Sequence, residues 1–246
     1  MRTSLPRTDQ PGKRVGVIQS NYVPWRGYFD FIASVDVFVI YDDVQYSKNS
    51  WRNRNRVKTP AGLRWLTVPV RDRGALTVDQ VAIGQPPSDW RAAHRRLLSG
   101  ALEPAPYFHD ALALWEAGVV PADSTLSQLN LRLIHLICDY LEITTPILSS
   151  RMFSLTGQKT ERLIQLLKQI GATTYVSGPT ARGYLDATLF RASGIRLEYK
   201  SYSYRPYAQL WGEFVGNVTV LDLIANTGHQ ARKFLKSTLP NEIVVE

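Results

Sequence analysis

The chain carries a single cysteine, Cys138, so no intrachain disulfide can form and no cysteine-based zinc site can be assembled. Its four histidines, His94, His109, His135 and His229, are scattered without metal-ligand spacing. No apolar run approaches the roughly 20 residues that span a bilayer. The opening "MRTSLPRTDQPGKR" has no apolar centre and does not read as a secretory signal. Two phosphate-binding signatures are also absent, the GxGxxG fingerprint and the Walker-type glycine loop. Together these absences exclude a disulfide-stapled scaffold, a cysteine–histidine metal site and a helical membrane protein. We expect a cytoplasmic protein with no membrane contact and no metal, with a disordered leader over residues 1–13.

What is present is an ordinary globular composition, 44% hydrophobic and 20% charged, in 246 residues. That length suits one large domain, read here as residues 14–246. The net charge of +8 favours acidic partners such as phosphates, carboxylates, nucleotides or nucleic acid, without choosing among them.

"RVGVIQS" and "VFVIYDD" read as buried strands separated by a loop and a helical "YFDFIASVD", the size of one βαβ unit. "NRNRVK", "LRWLTVPV" and "LTVDQVAI" then read as strands, with "TPAG" turning the first into the second. Residues 88–142 read as a helical insertion, with Ser88 capping its first helix and Asp123 or Ser124 its last. Cys138 lies in the apolar run of that last helix and is expected to be a buried structural thiol. The alternation resumes with "PILSS", a helix closed by Gly171, "TTYVSG", a helical "ARGYLDATLFRASG", the strand "IRLEYKSYSY" and two helical segments, "VTVLDLIANTG" and "QARKFLKSTL". The fold class expected is α/β: a mostly parallel, Rossmann-like sheet with a short antiparallel β excursion and the helical insertion.

Ligands of open α/β sheets bind beyond the carboxyl ends of the strands, so the segments following each strand are the candidates. After the first comes "QSNYVPWRGYF", with Gln19, Asn21, Tyr22, Trp25 and Tyr28 as polar-ligand side chains. After the second, Asp42 and Asp43 offer a base, an orienting group or a cation ligand, equally suited to capping or ion pairing. "KNSWRNRNRVK" follows; as a strand it puts Arg52, Arg54, Arg56 and Lys58 on one face and Asn53, Asn55 and Val57 on the other. Arginine gives bidentate donors to phosphate or carboxylate, and an exposed cationic edge strand is the plainer alternative. Asparagine is a poor strand former, so Asn53 and Asn55 are expected to bond a ligand or the backbone.

Ser177 and Gly178 end a later strand, with Arg182 and Asp186 beyond them on a helix. Tyr202 and Tyr207 suit a lid or a pocket wall. Asp222 and Asn226 lie one helical turn apart on an apolar helix, facing a site or buried with bonded partners. His94 is expected at the surface or at a cap, and His135 in the core.

"GVIQSNYVPWRGYFDFI", "DVFVIYDDVQYSKNSWRNRNRVKTPAGLRWLTVPV", "KTERLIQLLKQIGATTYVSGPTARGYLD" and "VLDLIANTG" together resemble the WbqC-like family over about Val15 to Gly228. The resemblance carries Gln19, Trp25, Gly27, Asp43, Gln45, Asn53, Arg54, Asn55 and Arg56. It implies a role in surface-polysaccharide (O-antigen) or natural-product biosynthesis. Family members often end the first strand in His-Gln-Pro, where this chain has Ile18-Gln19-Ser20. The strand–loop–helix–strand order is also similar to nucleotidyltransferase-like folds, but their paired loop histidines are missing.

The function expected is a biosynthetic enzyme, a transferase moving an acyl, aminoacyl or nucleotidyl group of a small anionic or activated substrate. Asp43, Arg54 and Gln19 are the candidate catalytic residues. Tyr22, Trp25, Tyr28, Asp42, Gln45, Lys48, Asn53, Asn55, Arg56, Lys58, Ser177, Arg182, Asp186, Tyr202, Tyr207, Asp222 and Asn226 are the candidate substrate contacts. The sequence requires no cofactor; a nucleotide or acyl donor fits, and the partner is a small molecule, carrier-bound or nucleotide-activated. A lyase, cyclase or hydrolase using the same pocket is the first alternative. Nucleic-acid binding through Lys48 to Lys58 is the weaker one.

Overall fold

The computed structural model describes residues 12–71, 74–85, 88–120 and 123–246. All but the last two residues of the expected leader lie outside the described residues. Strand β1 (Arg14–Ile18) leads through helix α1 (Arg26–Ala33) to β2 (Val37–Ile40). A hairpin follows, β3 (Arg54–Thr59) and β4 (Gly62–Thr67), then a short pair, β5 (Val70–Arg71) and β6 (Ala82–Ile83). Helices α2 (Trp90–Leu102), α3 (Phe108–Gly118) and α4 (Leu126–Tyr140) precede β7 (Ile147–Ser149). The last third runs α5 (Lys159–Ile170), β8 (Thr174–Ser177), α6 (Ala187–Ser193), β9 (Arg196–Tyr199), α7 (Val220–Thr227) and β10 (Glu242–Val245).

Six strands form the main sheet in the order β10-β9-β8-β1-β2-β7. Neighbours are parallel except β10, which closes the β9 edge antiparallel. Alternation along the strands feeds two cores. Phe38, Ile40 and Val176 pack with the α1, α2, α3, α4 and α7 side chains, and Val15, Val17, Val39, Tyr175 and Leu197 pack with α5 and α6. Helices therefore cover both faces, which is why the central strands are nearly continuous apolar runs. Gly16 is required where α1 meets β1: a Cβ there would sit 2.7 Å from the Phe31 ring and 3.2 Å from that of Phe38.

The chain lays β2 and β7 to one side of β1, then crosses through α5 to place β8 on the other. The strand order thus reverses between β1 and β8. In open parallel sheets that reversal leaves a crevice beyond the strands' carboxyl ends.

Several expectations change in detail. "LTVDQVAI" is a 3₁₀ turn at Val78–Gln80 with only β6 after it. Thr77 and Gln80 form a reciprocal capping box there, and such side-chain-to-backbone bonds compete with a strand ladder. Asp89, not Ser88, caps α2 through Arg91 N and Ala92 N. Thr125, boxed with Gln128, caps α4 in place of Asp123 or Ser124. Helix α6 begins only at Ala187, because Asp186 caps it after a 3₁₀ turn at Pro179–Gly183. The strand read through "IRLEYKSYSY" ends at Tyr199. "QARKFLKSTL" is a 3₁₀ segment rather than a full helix, and the edge strand β10 went unread. Gly171 closes α5 in the left-handed conformation, as expected.

The two histidine readings are reversed. His94 is buried, and its Nδ1 lies 3.0 Å from the Tyr22 hydroxyl, which also accepts from Trp115 Nε1 at 2.8 Å. His135 is exposed. His94 shares a helical face with Trp90, and that face is turned inward.

Candidate functional site

A cleft of about 660 Å³ opens at the reversal, lined by residues from the ends of β1, β2 and β8 and the start of α5. Its polar lining is Gln19, Tyr41, Lys159, Tyr175 and Tyr184; Val17, Ile18, Val44, Leu163 and Leu185 supply the apolar walls. This lies within the size range of small-molecule sites. Ile18, at the position where the family resemblance puts a histidine, is one of those walls.

The loop after β1 supplies Gln19. Its backbone carbonyl accepts from the Tyr28 hydroxyl at 3.1 Å, and its side-chain oxygen accepts from Arg52 Nη2. Arg52 has no ion pair with a carboxylate among the described residues. Burial pulls its pKa below the usual arginine value, opposed by the charges of Tyr28, Asp42 and Tyr184. A guanidinium remains charged despite such a shift. It therefore stands behind the Gln19 wall without an ion pair of its own, with the Asp42 charge nearby.

Asp42 and Asp43 diverge. Asp42 turns inward and accepts from Ser20 N and Oγ, each at 2.7 Å, and from Ser127 Oγ at 2.5 Å. Burial pushes its pKa up, against those hydrogen bonds. Asp43 turns to other partners, accepting from Ser150 Oγ at 2.5 Å and Arg162 Nη2 at 2.6 Å. Arg162 Nη1 also donates to the Tyr41 hydroxyl at 2.6 Å. The Tyr41 oxygen is thus occupied as an acceptor, leaving its own proton to offer. Burial raises the Tyr41 pKa, so that proton is held at neutral pH. The result is a relay from Asp43 through Arg162 to Tyr41 on the cleft wall. Lys159, at the start of α5, adds a second cation from a positive-φ backbone (φ 49). Such strain in a non-glycine residue is enriched at functional sites.

The other candidates go elsewhere. On the hairpin, Arg54 stacks over Trp65 at 4.3 Å, and Arg56 lies over Trp51 and Trp65 at 5.7 and 5.6 Å. Neither lines the cleft. The alternation predicted for "RNRNRVK" holds through Val57, but Lys58 is buried, donating to Gln209 Oε1 at 3.0 Å and to the Gly212 and Glu213 carbonyls. Asn53 Nδ2 donates to Val68 O at 3.1 Å, and Asn55 Nδ2 to Val23 O at 2.9 Å. Both asparagines bond the backbone, one of the two roles expected. Tyr22 is fully buried beside His94 and Trp115.

Asp222 is buried and accepts from the Tyr207 hydroxyl and Gln209 Nε2, each at 2.7 Å. Asn226 Nδ2 donates to the Asp222 carbonyl at 2.8 Å, and its Oδ1 accepts from Leu210 N at 3.3 Å. With Lys58, this network ties the irregular segment 209–217 to α7 and β3. Ser177 is buried at the end of β8. Arg182 pairs with Glu242 at the sheet edge, and Asp186 caps α6. Gln45 and Lys48 are exposed. Tyr202 packs edge-on to Trp25, with ring centroids 5.1 Å apart.

Among the described residues, no three histidine, cysteine, aspartate or glutamate side chains cluster for a metal, and no helix is long and apolar enough to cross a membrane. Burial pushes the Cys138 thiol up to about 12, leaving it unreactive at neutral pH. Sequence reasoning did not single out Tyr41, Arg52, Lys159, Arg162 and Tyr184 for the site. For Arg52 a signal existed, its place beside the loop after β2; Arg162 and Tyr184 are set by the crossover through α5.

The model of the WbqC-like protein family matches residues 19–234 of the chain. The chain is also 46% identical over 229 residues to "Uncharacterized protein Rv1507c" of Mycobacterium tuberculosis (strain ATCC 25618 / H37Rv), a match covering 91% of this chain and 98% of that protein. No solved structure matches the chain.

Proposed function

This chain belongs to the WbqC-like family, and for this member we propose an enzyme that binds a small anionic, activated substrate in the cleft beyond β1 and β8 and transfers a group from it. The observation that carries the reading is Arg52, a desolvated guanidinium with no carboxylate partner among the described residues, held behind Gln19 on the cleft wall. A partly buried guanidinium without an ion pair has donors to offer, and an incoming phosphate or carboxylate takes them in bidentate fashion. Lys159 stands at the rim for the same anion. The Rossmann-like reading of the sheet enters here as well: an order reversal is where such sheets take nucleotides, which makes a nucleotide-activated donor the first to try.

In this scheme Asp43 is a positioning residue. It fixes Arg162, which fixes Tyr41, and the Tyr41 hydroxyl donates to the leaving group or to the developing oxyanion. Ile18 offers no imidazole, so no step is assigned to a histidine at that position.

The test is incubation of the purified protein with nucleotide-activated and carrier-bound donors, read by mass spectrometry for free nucleotide or free carrier. Transfer predicts leaving-group release that Arg52→Gln abolishes and Tyr41→Phe slows by roughly 10²-fold. Product formed without any leaving group would sink transfer and favour a lyase or cyclase in the same cleft. One observation favours nucleic acid as a second reading: Trp51 and Trp65 are 43% and 44% exposed beside Arg54 and Arg56. Stacking aromatics with arginines bind single strands. A gel shift with single-stranded RNA that persists at physiological salt would support it, and loss of binding there would end it.

A further inference from the structure

A second pocket, of about 230 Å³, lies on the same loop as Gln19 and is lined by Asn21, Pro24, Trp25, Trp51, Asn55 and Asn217. Two features mark it as built to receive something. The first is Asn21, whose side-chain oxygen is buried without a hydrogen-bond partner while the residue is only 7% exposed. Buried amide groups are nearly always paired; this oxygen has almost no accessible surface in the free protein, so a ligand in the pocket becomes its partner through a small shift of the loop. Its amide lines the pocket whichever way round it is drawn.

The second is backbone strain. Val23, two residues on, is β-branched yet has φ 34, and it precedes Pro24. That conformation is a genuine outlier for valine. Asn55 clamps it, donating to the Val23 carbonyl at 2.9 Å, and Trp51 O accepts from Tyr22 N at 3.0 Å. The surrounding structure therefore holds the loop where Asn21 and Trp25 face one space.

The chemistry of the lining selects the ligand. Two indoles and the amides of Asn21 and Asn217 enclose the pocket with Asn55, whose own amide is spent on the backbone, and none of the six lining residues is charged. The Trp25 ring is rigid. It folds back over Gly27, where a Cβ would sit 2.3 Å from it, and it packs edge-on to Tyr202 and Tyr204. The Trp51 ring has Arg56 and Trp65 against it. Indole faces accept a flat apolar surface, and amides both donate and accept, as each hydroxyl of a polyol does. A ring with an apolar C–H face and a hydroxyl edge meets both demands. The volume falls below that of a drug-sized site, enough for one ring and too small for a whole nucleotide.

We propose that this pocket is a binding site for a neutral pyranose, a sugar ring standing alone or at the end of a larger acceptor. The site is separate from the anionic cleft, and saccharide binding here does not depend on the reaction proposed there. The test is therefore a binding measurement. The full chain, labelled with ¹⁵N, is titrated with the methyl pyranosides of glucose, galactose and N-acetylglucosamine, with adenosine and uridine as comparators, following the tryptophan indole signals. The expected result is a saturable shift of the Trp25 and Trp51 indoles by at least one pyranoside, with both nucleosides weaker. Trp51→Ala should weaken that binding tenfold or more. Asn21→Ala should weaken it about fivefold with no loss of thermal stability, since its side-chain oxygen bonds nothing in the free protein. Trp51 is 43% exposed, so its removal leaves the fold intact. No shift with any pyranoside, tighter binding of a nucleoside, or unchanged affinity in Trp51→Ala would each overturn the proposal. An inactive cleft with a working sugar site would sink the transfer reading alone.

Discussion

Acid should weaken this protein through His94, and the size of the effect follows from where the ring sits. His94 is 6% exposed, packed against Trp90 and Trp115 and bonded to the Tyr22 hydroxyl. Burial lowers its pKa to about 4 from an ordinary 6.5. The unfolded chain therefore takes up this proton at a higher pH than the folded one does. The stability the neutral ring contributes is fully present above pH 6.5 and is lost as pH falls toward 4. At 1.36 kcal/mol per pH unit between the two values, the loss reaches about 2 kcal/mol at pH 5. Asp42 and Asp222, whose pKa values burial raises, act in the opposite direction, so the whole stability curve does not isolate the term. A comparison with His94→Gln does. Urea unfolding at pH 7.5 should find the variant less stable by about 1–3 kcal/mol, from the lost ring packing and the weakened bond to Tyr22. At pH 5 that gap should shrink by about 2 kcal/mol. A gap that stays constant between the two pH values would refute the buried, neutral His94.

Gly16→Ala should cost about 1–3 kcal/mol in urea unfolding, because the new methyl meets the Phe31 ring between α1 and β1; an unchanged midpoint would contradict that packing. Cys138 should resist a thiol reagent in the native protein and react once the chain is unfolded, as a thiol 3% exposed and pushed up to about 12 requires. Rapid native modification would show that α4 opens. Lys58→Met should loosen segment 209–217, read as faster amide exchange at residues 209–215, since the buried ammonium holds Gln209, Gly212 and Glu213 together. Protection equal to the wild type would show the tie to be dispensable.

The parallel core was legible because its strands are buried on both faces and read as continuous apolar runs, as in "VFVI". The hairpin was legible from "TPAG" and from the alternation of Arg54 to Val57. The edge strand β10 was not, because four residues with exposed Glu242 and Ile243 carry no buried stripe. His94 and His135 were misplaced for one reason: local apolarity suggests how much of a helix is buried but not which residue turns inward. Asp43 stood out as a strand-end carboxylate, yet its partners are more than a hundred residues away in sequence: Ser150 meets it through the pairing of β7 with β2, and Arg162 through the crossover helix α5. Asn53 and Asn55 looked anomalous in a strand, and the structure gives the physical reason: each bonds a backbone carbonyl of a neighbouring segment. In "KNSWRNRNRVK" the arginines look equivalent, but Arg54 and Arg56 are satisfied by indole rings while Arg52 turns to Gln19.

The central claim is that Arg52 and the cleft beyond β1 and β8 receive an anion. The most direct measurement is a crystal structure of the protein soaked with pyrophosphate at near-physiological salt. The account predicts pyrophosphate between Gln19, Lys159 and Tyr184, within reach of the Arg52 guanidinium, and its loss in crystals of Arg52→Gln. Pyrophosphate on the hairpin face at Arg54 and Arg56, with the cleft holding only water, would contradict it.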